Sequence, residues 1–286
     1  MPKWGYIDNR GEMAIEALFE EAGNFSGGLA RTKLNGKWGF IDLQGGTALS
    51  FEYADAGNFN EGLAPIKLEN KWGYINPQGE MVIPPQYDFA WDFSEGLAAI
   101  SISGKWGFIN KKGKEAVPPR LDFVWSFSEG KAIVNLKGEW FCVNKIGKVI
   151  YRPNFDFVGS FSEGMARVNI GGTKVHPRIV QGGKWGFIDK SGTIKIRPQY
   201  DFVWGFHQRC AGVYEKDKGW HYINTEGSRV LEPRADSVRP FHENLAAFER
   251  NNRWGYLDLD GLQTVFPAFL QAMDFSEGLA AVIPEK

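Results

Sequence analysis

Eight tandem copies of one motif, a strand apolar on both faces, and a turn glycine after every copy together predict an all-β repeat protein. In the 286-residue chain, tryptophan recurs at Trp4, Trp38, Trp72, Trp106, Trp140, Trp185, Trp220 and Trp254. The step is 34 residues, except that an 11-residue insertion follows Trp140 and one extra residue follows Trp185. Fixed periods of this length mark architectures in which each unit buries a face against its neighbours. We expect one domain over residues 1–286, with copies starting near residues 3, 37, 71, 105, 139, 184, 219 and 253 and the insertion at about 172–182.

Each copy reads in the same order. "KWGFID" places Trp106 and Phe108 on one side and Gly107 and Ile109 on the other. A strand apolar on both faces is covered on both. Asp/Asn-x-x-Gly follows every time, closing at Gly11, Gly45, Gly79, Gly113, Gly147, Gly192, Gly227 and Gly261. That pattern is a tight hairpin. The next strand, "MVIPPQY", carries proline at Pro85, and its counterparts at Pro119, Pro153, Pro198, Pro233 and Pro267. Proline cannot donate to a ladder, so this is an edge strand.

The third strand, "LAAISIS", turns Ala98, Ile100 and Ile102 inward, and alanine fills the Ala98 slot in all eight copies. A short Gly-containing turn such as "SGK" then returns the chain to the next Trp-Gly strand. The link "YDFAWDFSEG" keeps Tyr87, Ala90 and Phe93 apolar at a spacing of three. That spacing predicts a single helical turn capped by Asp88, not a fourth strand. Each unit is therefore expected to be a three-stranded antiparallel meander plus a short turn.

"KWGFID", "IPPQYD" and "FSEGLA" in this order resemble the bacterial WG-repeat, or KWG, family, and the resemblance runs over essentially residues 3 to 283. Copies five and seven depart from it at the glycine, with Phe141 in "EWFCVN" and His221 in "GWHYIN"; copy six replaces FSEGLA with "FHQRCA". The resemblance implies an all-β tandem-repeat architecture and, mostly, no assigned enzymatic activity. It supplies no catalytic residues.

The end copies carry no polar caps: Trp4, Tyr6 and Ile7 are as apolar as internal counterparts, and so are Trp254, Tyr256 and Leu257. The chain begins at a central strand and stops at the third strand, "LAAVIPEK", so each lacks the same hairpin partner. Pairing the two would close a propeller-like toroid of eight units. An open β-superhelix or solenoid is the alternative, because 34 residues are few for a propeller blade.

Comparison between copies separates slots that serve the shared fold from slots free to vary. The positions of Phe89 and Trp91 hold, in order, Glu21/Gly23, Asp55/Gly57, Phe89/Trp91, Phe123/Trp125, Phe157/Gly159, Phe202/Trp204, Ser237/Arg239 and Gln271/Met273. Charged residues in the outer copies predict that these slots face solvent. Phe89, Trp91, Phe123, Trp125, Phe157, Phe202 and Trp204 would then form an exposed stripe that binds a partner. The competing reading is that the rings cover seams between neighbouring units. Beside them lies the insertion "GGTKVHPRIVQGG", where Lys174, His176 and Arg178 are candidate contacts on a loop hinged by glycines. Glu95 and its counterparts, with the lysines before tryptophan, read as turn caps and solvated ion pairs.

A net charge of -1 argues against nucleic acid as a partner. No apolar run is long enough for a membrane span. The first copy starts at Lys3, which leaves no room for a signal peptide, so the expected location is cytoplasmic. Cys142 and Cys210 occupy apolar slots and read as buried reduced thiols. The four histidines show no metal spacing, and no nucleophile elbow, phosphate loop or dinucleotide fingerprint is present. We expect no enzyme activity, cofactor or metal. Three functions follow: a protein-interaction scaffold, a glycan or cell-wall ligand module, and a self-assembling structural protein.

Overall fold

In the computed structural model, which describes residues 2–176 and 178–285, every helix or strand element is a β-strand. The sheet of Trp106 is typical. Strands Phe89–Ala90, Leu97–Ile102, Lys105–Asn110 and Glu115–Leu121 follow one another antiparallel in chain order. The Trp-Gly strand is paired on both edges, with Ala98 opposite Ile109, Ile100 opposite Gly107 and Phe108 opposite Val117. Both of its faces are also covered, with Phe108 on one side and Gly107 and Ile109 on the other all buried, as the sequence pattern requires.

The link read as a helical turn is instead a fourth strand. Phe89 pairs with Ser101 and Ala90 with Ile100, which satisfies backbone groups that would otherwise line a bare edge. Two paired residues are too few to show a period of two. Asp88 caps no helix: its carboxylate accepts from Ser103 N–H at 2.6 Å, and Asp201 and Asp236 accept likewise from Lys216 and Asn251. Asp88, Asp122, Asp201 and Asp236 thus each hold the turn that precedes or opens a Trp-Gly strand.

"FSEGLA" is a two-residue hairpin. Ser94 and Leu97 exchange both backbone bonds, while Glu95 and Gly96 sit at φ 55° and 83°. This primed turn favours residues that tolerate positive φ, and a glutamate there is strained by about 1 kcal/mol or more. The side chains offset that strain by reaching the following copy. Glu95 accepts from Gly130 N–H at 2.9 Å, and Ser94 Oγ donates to the Phe127 carbonyl at 2.7 Å. Glu129 repeats the contact on Gly164, and Ser162 on Phe206. The recurring Ser-Glu pair is a staple between copies.

The strands form six four-stranded sheets and one of seven strands. In the larger sheet Trp4–Ile7 pairs with Ala280–Pro284, the pairing anticipated from the unpartnered terminal strands. Strand Gln263–Ala272 pairs with Arg253–Asp258 at one end and with Ala280–Pro284 at the other. The first and last copies therefore share one sheet, and the expectation of eight separate meanders becomes seven sheets. The chain divides into two compact units, Met1–Gln86 with Leu231–Lys286, and Tyr87–Val230. The terminal pairing belongs to the first, the aromatic copies and the insertion to the second.

The motif glycine is required by close approach. A Cβ on Gly5, Gly39 or Gly73 would meet the carbonyl oxygen of Ile15, Leu49 or Ile83 at 2.6, 2.9 or 2.5 Å. The next strand crosses directly over it. Where Phe141 and His221 replace glycine, that strand shortens to Val149–Tyr151 and Arg229–Leu231, three residues each, against seven in Met81–Tyr87 or Glu115–Leu121.

Candidate functional site

The aromatic residues of the second unit form one continuous ladder of rings. Phe89 and Trp91 pack on Trp106 at 5.7 and 5.4 Å; Trp91 also meets Phe123 and Trp125. Trp125 continues to Phe157, Phe157 to Trp185, Trp185 to Phe202, and Phe202 to Trp204 and Trp220. Most contacts are tilted or edge-on, the arrangement the ring quadrupole favours.

The ladder is contiguous, as expected, but it is not an exposed stripe. Phe123 and Phe157 are 2% exposed, and Trp91, Trp125, Phe202 and Trp204 are half-buried. Only Phe89 is exposed, at 39%. The reason is geometric: Phe89 and Trp91 pack on Trp106, Phe123 on Trp140, Phe157 on Trp185 and Phe202 on Trp220, so the rings stack inward on the Trp-Gly tryptophans. Apart from Phe89, the exposed occupants of this slot are the polar Glu21 and Gln271.

Positions opposite each other in the first two strands share one space. Trp91 lies opposite Ala99, Trp204 opposite Gly212 and Arg239 opposite Ala247; Gly23 lies opposite Arg31, and a Cβ on Gly159 would meet Arg167 Cγ at 2.9 Å. Whichever strand supplies the large group, it covers the tryptophan below. The Arg31 and Arg167 guanidinium groups sit 4.9 and 5.6 Å over Trp38 and Trp185. Tryptophan and arginine also make the same bond. Trp125 Nε1–H donates to the Val158 carbonyl at 2.9 Å, and Arg167 donates to the equivalent Val203 carbonyl at 3.3 Å. Arg31 donates to Ala56 in the first unit. Burial holds the Arg167 guanidinium below its usual pKa, yet arginine stays charged. Trp125 opposite Ile133 and Gly57 opposite Pro65 show that the exchange is not strictly large for small.

The insertion is a β-hairpin arm, not an irregular loop. Strands Met165–His176 and Ile179–Asp189 stay paired out to Lys174 opposite Val180 and His176 opposite Ile179. The arm lies over the sheet of Trp140, where Lys174 Nζ donates to the Gly138 carbonyl at 3.2 Å. Its far end reaches the sheet of Trp106. There the Arg178 guanidinium stands 4.7 Å over Trp91 and 5.0 Å over Phe123. Partial burial against the rings pulls the Arg178 pKa down. Arg178 therefore covers the ladder, whereas Val175 and Ile179 are 57% and 51% exposed. His176 Nδ1 accepts from the Arg178 backbone N–H at 3.2 Å.

Two cavities flank these elements. One of about 300 Å³ lies under the arm, between Trp140, Phe157, Asp122, Asn135, Asp156, Lys174, Val175, His176 and Ile179. The other, about 330 Å³, opens beside Phe141. Sequence reasoning missed both. Cys142 is buried and Cys210 partly so, neither is in a disulfide, and burial raises both thiol pKa values. Among the described residues no helix is long and apolar enough to cross a membrane.

The model of the WG containing repeat matches seven segments, residues 4–38, 38–72, 72–106, 106–140, 140–173, 185–218 and 220–254. The copy that begins at Trp254 falls outside them. No curated protein matches this sequence. Among solved structures, the computationally designed Ika8 protein is similar over 92% of this chain and 95% of its own, at a TM-score of 0.58 and 11% identity. BamB from Moraxella catarrhalis is similar over 98% and 91%, at 0.53 and 9% identity. The Pan2 WD40 domain of Neurospora crassa is similar over 100% and 97%, at 0.50 and 13% identity. At these identities the likeness is one of fold alone, to the repeated four-stranded antiparallel sheets that β-propellers use.

Proposed function

This chain belongs to the WG-containing repeat family, and from that premise we propose a non-enzymatic scaffold that binds a protein partner through the hairpin arm of residues 165–189. The observation that carries the reading is the arm itself. It is an elongated hairpin on a paired sheet, anchored inward by Arg178 and Lys174, with Ile170, Val175 and Ile179 exposed along it. Exposed apolar groups beside fixed cations are the makings of an interface. Phe89 and the half-buried edges of Trp91, Phe202 and Trp204 extend the surface; Phe123, Trp125 and Phe157 support it from below. The closure expected from the unpartnered terminal strands draws support, within the first unit, from the pairing of Trp4–Ile7 with Ala280–Pro284.

A glycan or cell-wall ligand is the second reading, favoured by the cavity under the arm, which sets Trp140 and Phe157 against Asp122, Asn135 and Asp156. The test captures partners from host lysate with wild type, a V175S/I179S variant and a deletion of residues 173–182, then reconstitutes any hit from purified protein. A partner bound by wild type and lost by both variants supports the scaffold. Equal recovery by all three overturns it. Glycan binding lost only in the deletion would favour the second reading.

A further inference from the structure

Of the two copies that lack the motif glycine, the one with Phe141 leaves a cavity, and we infer that this cavity binds a compact apolar carboxylate. In the sheet of Trp106 the last strand pairs at Trp106 with Leu121, Phe108 with Val117 and Ile109 with Glu115. In the sheet of Trp140 only Cys142 with Tyr151 and Val143 with Val149 remain. Phe141 explains the loss. Its side chain occupies the position where, in other copies, backbone passes over a glycine at van der Waals limits. The strand ends early and a space of about 330 Å³ stays open.

The lining of that space has two parts. Leu121, Leu136, Phe141 and Val149 supply an apolar body, and Arg120 and Arg152 stand among them. No carboxylate lines the cavity. Among the described residues neither arginine makes an ion pair, and Arg152 rests its guanidinium 5.0 Å over the Phe141 ring. Two exposed guanidinium groups without an acidic partner, at the rim of an apolar recess, suit an anion that carries an apolar body. Arginine receives a carboxylate through a planar fork, so the acid is the fitting head group. The volume is at the low end of the roughly 300–1,000 Å³ of small-molecule sites, which selects a short or single-ring body over a long lipid chain. The site is independent of the hairpin arm.

Octanoate is the probe, with 1-octanol as the same tail without the acid, each titrated calorimetrically into the full chain. Octanoate is expected to bind wild type at least about tenfold more tightly than octanol, and an R120Q/R152Q variant is expected to lose at least about tenfold for octanoate alone. Both arginines are exposed, so the variant should fold as wild type does. A second variant, F141G, restores the motif glycine and is expected to lose both ligands as the last strand closes over the space. Absence of octanoate binding, equal binding of octanol, or unchanged octanoate affinity in R120Q/R152Q would each overturn the inference. Partner capture through the arm is untouched by these substitutions, so the two proposals fail separately.

Discussion

The sheets of Trp140 and Trp185 are neighbours in one compact unit and solve the same packing problem with opposite chemistry. In the first, Trp125 comes from the first strand, covers Phe123 and donates an indole N–H to the Val158 carbonyl. In the second, Gly159 clears that position, and Arg167 from the adjacent strand covers Phe157 and Trp185 and donates to Val203. An indole and a guanidinium share two properties, a flat face for stacking and an N–H at its edge. The lesson is that the aromatic stripe serves the seam first. What looks like a binding motif in the column of Trp91 becomes a structural one when the column of Ala99 is set beside it.

The comparison breaks most visibly at Trp125. Trp125→Ala removes a ring packed on three others and leaves the Val158 carbonyl without its donor, and is expected to cost about 3 kcal/mol in urea unfolding. Arg167→Ala should cost less, about 1–2 kcal/mol, because the cation–π contacts are individually weak and burial of the charged guanidinium is itself unfavourable. The sharper form converts one solution into the other. G159W alone collides with Arg167 and should destabilise; G159W/R167A rebuilds the Trp91–Ala99 pairing and should return to within about 1 kcal/mol of wild type. A double variant as unstable as the sum of the two singles would show that tryptophan and arginine are not interchangeable here.

Much of this fold was legible because its cause is local and repeated. The doubly apolar Trp-Gly strand, the glycine turns, the invariant alanine and the pairing of the two terminal strands all follow from side-chain period and from which backbone edges lack partners. The fourth strand was not legible, since Phe89–Ala90 is too short for alternation and Phe93, entering the core beside it, imitates a spacing of three. The hairpin arm was hidden by its flanking glycines, which read as hinges; the β-branched residues in "TKV" and "RIV" were the available signal. At the site, the ladder was found, and the choice between an exposed stripe and seam cover stayed open. Exposure depends on what lies above Trp106 and its counterparts, and that is set by Ala99 and Arg167, residues on a different strand. The cavity beside Phe141 was visible only as a departure from the family glycine.

The smallest effects test whether the staple is indifferent to which filler a copy uses. Glu95 and Glu129 both bind the turn amide of the following copy, although the sheets they join carry different fillers. Desolvation works against the Glu129 carboxylate, but Lys190 Nζ at 2.8 Å and the Gly164 amide outweigh it and hold its pKa below the usual value. A depressed carboxyl pKa contributes stability that is present above the unfolded value and lost as pH falls, so Glu129→Ala should cost about 1 kcal/mol at pH 7 and less in acid. The decisive variant is Glu129→Gly. Glycine ordinarily destabilises more than alanine, but Glu129 sits at φ 55°, where alanine is strained and glycine is not. Glu129→Gly is therefore expected to be more stable than Glu129→Ala by about 1 kcal/mol, a reversal that only the primed turn produces. The same reversal at Glu95 would establish the turn and its staple as one device used in both copies, whichever group fills the seam.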